Sequence, residues 1–139
     1  MTLWQRPATA DDINQAHTGT IMDVLDIKIT AVEDEALVGT MPVDHRTHQP
    51  MGYLHGGASV VLAETLGSVA ANLTLASNQA AMGLEINANH IKGVKSGLVT
   101  GRAVPLHRGR STQVWEIRLT DETGDLVCIS RLTVAIKTF

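Results

Sequence analysis

One cysteine, Cys128, is all the chain offers for disulfide chemistry. A single thiol excludes an intrachain disulfide framework and fits a reducing compartment. Basic residues are also scarce: 11 Lys and Arg stand against 14 Asp and Glu, for a net charge of −3, which argues against general nucleic-acid binding. The stretch from Met1 to Asp12 lacks the apolar core of a secretory signal, so the cytoplasm is the expected compartment. Rossmann-type and P-loop glycine patterns are missing, as are an HExxH helix and the cysteine pairs that hold zinc. Internal repeats, low-complexity tracts and linkers are absent too. What remains is a 139-residue chain, 44% hydrophobic, sized for one domain (residues 1–139) with one core.

The organising stretch runs from Gln49 to Asn72, with turn-forming Pro50 and Gly52, then His55-Gly56-Gly57, then a long run of small and apolar residues. Apolar residues fall on every side of a helix there, so the helix is expected to be buried by protein or lipid. Gly56 to Ala76 is long enough to span a bilayer, but Ser59, Glu64, Thr65, Ser68, Asn72 and Thr74 make it a poor span. A central helix inside a protein core needs fewer assumptions.

Around it the pattern is mostly strand-like. Thr9 followed by Ala10-Asp11-Asp12 predicts a capped helix ending near Gly19, and a short turn follows through Ile21 to Leu25. Ile27 to Val32 and Ala36 to Met41 read as a hairpin across Glu33-Asp34-Glu35. Beyond the long helix, period-two alternation predicts strands over Met82–His90, Gly97–Leu106, Ser111–Thr120 and Leu126–Lys137, with Asp121 to Asp125 as a hairpin turn. The result is an α+β domain in which one antiparallel sheet curls round the long helix.

Several residues could carry chemistry. His55-Gly56-Gly57 lies where helix N–H groups are free and the macrodipole is positive. Glycine there lets a ligand oxygen approach the main chain, the makings of an oxyanion hole; a helix start packed with glycines is the simpler alternative. Glu64 is the one charge in the run and would be costly to ionise in an apolar interior without a partner or a task. It is either a structural acid bonded to a hydroxyl or a nucleophile or general base, with Ser68 one turn further on the same face. Gln49 can donate to a carbonyl, and His90 closes a strand. His45, His48, His55 and His90 with Glu64 could be drawn as a metal site, but the loop spacing lacks a supporting motif. Cys128 reads as a core thiol. The segment His107-Arg108-Gly109-Arg110-Ser111-Thr112 is a solvated turn or a phosphate-binding edge.

The motifs Met41-Pro42-Val43-Asp44, Gln49-Pro50, Leu54-His55-Gly56-Gly57-Ala58-Ser59, Leu62-Ala63-Glu64, Gly67-Ser68, Glu85 to His90, Pro105-Leu106-His107 and Gln113-Val114-Trp115 together resemble the hotdog-fold acyl-CoA thioesterases. The likeness is to their bacterial aryl-CoA branch of 1,4-dihydroxy-2-naphthoyl-CoA hydrolases and enterobactin-pathway proofreading thioesterases, and it covers nearly the whole chain. The resemblance implies a hotdog fold, a sheet wrapped round a long helix, paired into dimers and usually tetramers. It implies hydrolysis of an aromatic or β-keto-like acyl-CoA, with CoA as part of the substrate and no metal or redox cofactor. An acyl or aryl carrier protein is the alternative bearer of the acyl group. Glu64 would be the catalytic carboxylate, Gly56 N–H the oxyanion hole, with His55 and Gln49 orienting the carbonyl and Ser68 the water. Gly83 and the segment His90-Ile91-Lys92-Gly93 would contact substrate, and His107 to Thr112 would meet CoA. Met51, Tyr53 and Ala71-Asn72 depart from the residues usual in that family and bear on the acyl group. A hotdog dehydratase and a non-catalytic acyl-CoA or carrier-protein binding module are the rival readings; the carboxylate of Glu64 favours hydrolysis.

One constraint follows from helix arithmetic alone. Glu64 lies eight residues beyond Gly56 (64 − 56 = 8), about 12 Å along a helix axis. An oxyanion donor and an attacking group must both stand about 3 Å from one carbonyl. Either one of the two is misassigned or two chains share the site.

Overall fold

A computed structural model describes residues 1–139. The elements in chain order are α1 (Ala10–Ala16), α2 (Ile21–Val24), β1 (Lys28–Val32), β2 (Leu37–Pro42), α3 (Gly56–Leu73), β3 (Gln79–His90), β4 (Leu98–Arg108), β5 (Thr112–Thr120) and β6 (Leu126–Thr138). Thr9 caps α1 by a reciprocal bond with Asp12, which satisfies two of the donors a helix start leaves free. The helix stops at Ala16, short of the expected Gly19, because His17 turns the chain and Thr20 starts α2 as a second cap.

All six strands form one antiparallel sheet in the order β1-β2-β4-β5-β6-β3. β2 and β3 are consecutive strands in the chain yet have three others between them. Helix α3 makes that crossing and lies over the sheet, as the hotdog arrangement requires. Its buried side carries Leu62, Ala63, Leu66, Gly67 and Ala70, against Met41, Val99, Trp115, Ile117 and Leu132 from the strands. No helix is long and apolar enough to cross a membrane.

The expectation that α3 is enclosed on all sides needs correcting. Val61, Glu64, Thr65, Ser68, Val69 and Asn72 are only half-buried. Small residues let the sheet side of α3 sit close, while the opposite side is roofed only partly by α1 and α2. Apolar character all round a helix says that it is covered, but not by which molecule.

The closeness has a specific seat. Gly39 and Gly101 face one another in the β2–β4 register, and a Cβ on either would stand within 3 Å of a terminal methyl of Leu66 (2.9 and 2.5 Å). Leu66 thus fills the space that two missing side chains leave. At the far end, the buried Trp115 Nε1 donates to Gln113 Oε1 (2.8 Å), Gln113 Nε2 donates to Thr74 Oγ1 (2.9 Å), and Thr74 Oγ1 donates to Ala71 O (2.7 Å). That relay ties β5 to the last turn of α3.

Gly101→Ala should therefore destabilise the protein by about 1–3 kcal/mol, since Leu66 has no free direction in which to move. A denaturant midpoint unchanged from the parent would show that the seat is looser than the geometry says.

Candidate active site

The start of α3 is built by its cap. His55 Nδ1 accepts the N–H of Gly57 (2.8 Å), which in the neutral ring leaves the proton on Nε2. The backbone N–H of His55 donates to Thr47 O (2.7 Å), and the buried Thr47 hydroxyl donates to Pro42 O (2.8 Å). The N–H of Gly56 has no acceptor in the chain, so the first peptide of α3 presents a free donor at the positive end of the helix. A Cβ at position 56 would stand 2.8 Å from His90 Nε2; only glycine allows that imidazole to lie against the helix start.

Gln49 is oriented by its own loop. Its side-chain Oε1 accepts the backbone N–H of Met51, leaving the Nε2 hydrogens to point elsewhere. A cleft of about 550 Å3 brings together Gln49, Gly56, His90, Ile91, Lys92 and Gly93. Tyr53, Leu54, Ser59 and Val127 complete its wall; Val127 carries no motif in the sequence, and the other three carry no role there beyond the family likeness. Tyr53 packs against Gly93, where a Cβ would lie 2.8 Å from the ring. Lys92 is held at this mouth by Asp121 (2.6 Å) and Asp125 (2.7 Å), which pushes its own pKa up and holds the Asp121 carboxyl well below the usual carboxylate range. Its ammonium is committed to the β5–β6 turn, a pairing across 29 and 33 residues that no local pattern announces.

Glu64 and Ser68 stand elsewhere. They line a separate cleft of about 400 Å3 with Ile21, Met22, Val61, Thr65 and Val69. The Glu64 carboxylate is half-buried, has no ion-pair or hydrogen-bond partner in its own chain, and lies over Gly83, where a Cβ would meet Oε2 at 2.7 Å. It is thus neither the deeply buried acid nor the hydroxyl-bonded one that the sequence suggested. Nothing on the chain neutralises it, and nothing from the Gly56 cleft reaches it.

The two stretches singled out for CoA are also apart. His90 lies opposite Cys128 and Cys128 opposite Leu119, while Arg108 lies opposite Gln113. Leu119 and Gln113 are six residues apart on β5 (119 − 113 = 6), about 20 Å of strand. The His107–Thr112 turn, closed by Gly109 N–H to Thr112 O (2.8 Å), sits at the Gly83 end of the sheet, with Arg108 and Arg110 free of carboxylates. No three His, Cys, Asp or Glu side chains converge to hold a metal ion. Cys128 is fully buried, and burial pushes its thiol pKa up.

With this geometry in place, comparison with known proteins assigns the class. Residues 51–128 match the family model of the thioesterase superfamily. The chain is 50% identical over 134 residues to the 1,4-dihydroxy-2-naphthoyl-CoA hydrolase of Escherichia coli K12, covering 96% of this chain and 98% of that one. It is 48% identical, with the same coverage, to the proofreading thioesterase EntH of Cronobacter turicensis. A crystal structure of a Haemophilus influenzae thioesterase superposes with a TM-score of 0.97 at 46% identity, covering 99% of this chain and 96% of that one. The chain belongs to the thioesterase superfamily: it is an enzyme of the hotdog fold that hydrolyses thioesters.

Gly83 offers a test of the carboxylate's placement. Gly83→Ala puts a methyl where Glu64 Oε2 lies, and a flexible side chain can yield at little cost in stability. If the Glu64 carboxylate is the reacting group, turnover should fall by about tenfold to a hundredfold, as expected of a roughly ångström displacement, with the melting temperature nearly unchanged. Full activity in this variant would mean that the carboxylate does not work from the position it holds over β3.

Proposed function

We propose that the protein hydrolyses acyl-CoA thioesters with aromatic or β-keto-like acyl groups, at sites that two copies of the chain build together. One observation carries the proposal. An unsatisfied donor at Gly56 and an unpartnered carboxylate at Glu64 open into different clefts of one rigid helix, a helix-fixed distance apart.

The edge of the sheet supports the pairing. β3 has a neighbour, β6, on one side only, and twelve residues of unpaired edge are a template for another strand. Met82 and Leu84 on this strand are 59% and 64% exposed. Gly56 touches His90 at one end of β3, and Glu64 touches Gly83 towards the other. Antiparallel pairing of β3 with its copy, about an axis near Ile86 and Asn87, sets Gly83 close to the partner's His90. The acid of one chain then faces the helix start of the other, twice over, as two-fold symmetry demands. The same operation carries the His107–Thr112 turn of one chain towards the His90–Gly93 mouth of the other, so both CoA-contacting stretches come to one substrate.

In such a site the thioester oxygen accepts from Gly56 N–H and Gln49 Nε2, with His55 Nε2–H and His90 beside it. Charge building on that oxygen meets fixed donors and the positive helix end. Glu64 of the other chain attacks the carbonyl carbon, expelling CoA thiolate and leaving an anhydride for water to open. Alternatively it takes a proton from a water placed by Ser68 as that water attacks, and returns it to the departing sulfur. Both routes use the same geometry and end in a free acid and CoA. A carrier-borne acyl group presents the same reacting atoms to this site.

Mixing defective chains tests the arrangement. Assayed by thiol release from a panel of acyl-CoA esters, His55→Ala and Glu64→Gln proteins should each lose several orders of magnitude in kcat. Unfolded and refolded together, they form about half heterodimers, each with one doubly mutant site and one intact site, so roughly a quarter of parental activity should return. Absence of rescue in verified heterodimers would overturn the shared site. Glu64→Gln with near-normal turnover would overturn the role of the acid.

The arginine turn makes a separable prediction. Arg108→Ala and Arg110→Ala together should raise KM for CoA esters while hardly affecting the matching pantetheine esters, which lack the nucleotide phosphates. Equal losses on both substrates would remove the turn from phosphate binding.

A further inference from the structure

The cleft of Gly56 owes one wall to a segment without regular structure. Ile91 to Gly97 runs between β3 and β4 and contains two glycines, Gly93 and Gly97, the second at φ +85°. Such a segment has little stiffness of its own, so its course is set by what holds it. On one side stands the loop of Gln49: Leu54 N–H donates to Val94 O (2.7 Å), and His48 Nε2 lies 2.8 Å from Lys95 O. A carbonyl accepts there only if the proton is on Nε2. On the other side stand the β5–β6 turn and the start of β6. The N–H groups of Ile91 and Lys92 donate to Val127 O (2.7 and 3.3 Å), and Leu98 N–H donates to Glu122 Oε1 (2.7 Å).

Lys92 is the side chain that ties the segment to that turn. Its ammonium meets Asp121 Oδ2 (2.6 Å) and Asp125 Oδ2 (2.7 Å). The other oxygen of Asp121 accepts from Thr123 N–H (3.0 Å), Thr123 Oγ1 (2.7 Å) and Asp125 N–H (3.0 Å). One carboxylate therefore both knits the turn and grips the lysine, and its side chain is only 11% exposed. Two of the three ammonium hydrogens are taken. Two carboxylates against one ammonium leave a negative excess, with Glu122 alongside, so the group repels a phosphate. Arg108 and Arg110, by contrast, have no carboxylate partner.

We propose that Lys92 is a positioning residue: its clip to the β5–β6 turn sets the wall along which the thiol arm of the substrate lies, and its ammonium does not bind phosphate. The proposal rests on the reading that the Gly56 cleft takes the thiol side of the thioester. Ile91 and Gly93 flank the lysine in that wall, and Gly93 packs against Tyr53. Releasing the clip lets both neighbours shift while Gly56, Gln49 and the acid stay in place. The loss then falls on binding of the arm and not on the chemical step.

Lys92→Met should raise KM by about threefold to tenfold, as two partly exposed ion pairs command, with kcat nearly unchanged. The factor should be the same for CoA esters and for matching pantetheine esters, which lack the nucleotide phosphates. Asp121→Asn with Asp125→Asn keeps the acceptor oxygens of the turn and should raise KM as much. Combining all three changes should add nothing further, because each set removes the same interaction, and Lys92→Arg should keep most of the parental affinity. KM does not depend on how much of a preparation is folded. A phosphate ligand behaves in the opposite way: Lys92→Met then harms CoA esters alone, and removing the aspartates frees the ammonium and lowers KM for CoA. That pattern, or an unchanged KM in the Lys92→Met protein, overturns the assignment. Gly93→Val, which obstructs the wall directly, separates this from failure of the underlying reading. If KM rises in Gly93→Val but not in Lys92→Met, only the clip is refuted; if it rises in neither, the arm does not lie in this cleft.

Discussion

Leu66 held between two glycines is the contact on which the rest of the molecule depends. Gly39 and Gly101, paired across β2 and β4, withhold their Cβ atoms so that one leucine can sit against bare backbone. This brings α3 close to the sheet in the middle of its length, and interiors packed this tightly transmit position with little slack. The cap at His55 and the Trp115–Gln113–Thr74 relay then hold the helix at either end. A helix pinned at three points is a ruler, and it carries the Gly56 donor and the Glu64 acid at a separation that side-chain motion cannot close.

That rigidity explains why the candidate site is divided. Each chain has one cleft with Gly56, Gln49 and the His90–Gly93 mouth, which in the proposed dimer takes the CoA side of a thioester. Each has another that holds Glu64 and Ser68, between α3 and α2. The glycines that complete the two half-sites sit on the same principle as those under Leu66. Gly56 yields room to His90, and Gly83 yields room to Glu64, so absent side chains place present ones.

Much of the fold was legible because its signals are local. Period-two alternation located β4, β5 and β6 to within a residue or two, and Thr9 with Asp12 announced α1. β3 began earlier than its pattern, since Gln79-Ala80-Ala81 alternates too weakly to mark a strand. Strand order was beyond reach, because nothing local says that α3 carries the chain across three strands before β3 pairs. The site was legible as a list of residues and as a distance along one helix. The partial exposure of Glu64 and the commitment of Lys92 to Asp121 and Asp125 were not. Each depends on atoms brought together from distant parts of the chain.

Dividing the site also divides the work of recognition. In the proposed dimer the chain that grips CoA is not the chain that reads the acyl group. The first task needs the edge of the sheet and free backbone donors, which barely depend on side-chain identity. The second falls to side chains from α2 and the half-buried side of α3, which take no part in the glycine seat or the pairing edge. In that arrangement, substitutions at Met22 or Val69 reshape the cleft of Glu64 without moving the Gly56 donor. The ruler stays fixed while the chemistry at one of its faces changes. A fold organised in this way can keep one hydrolytic reaction and still diverge in the acid it releases.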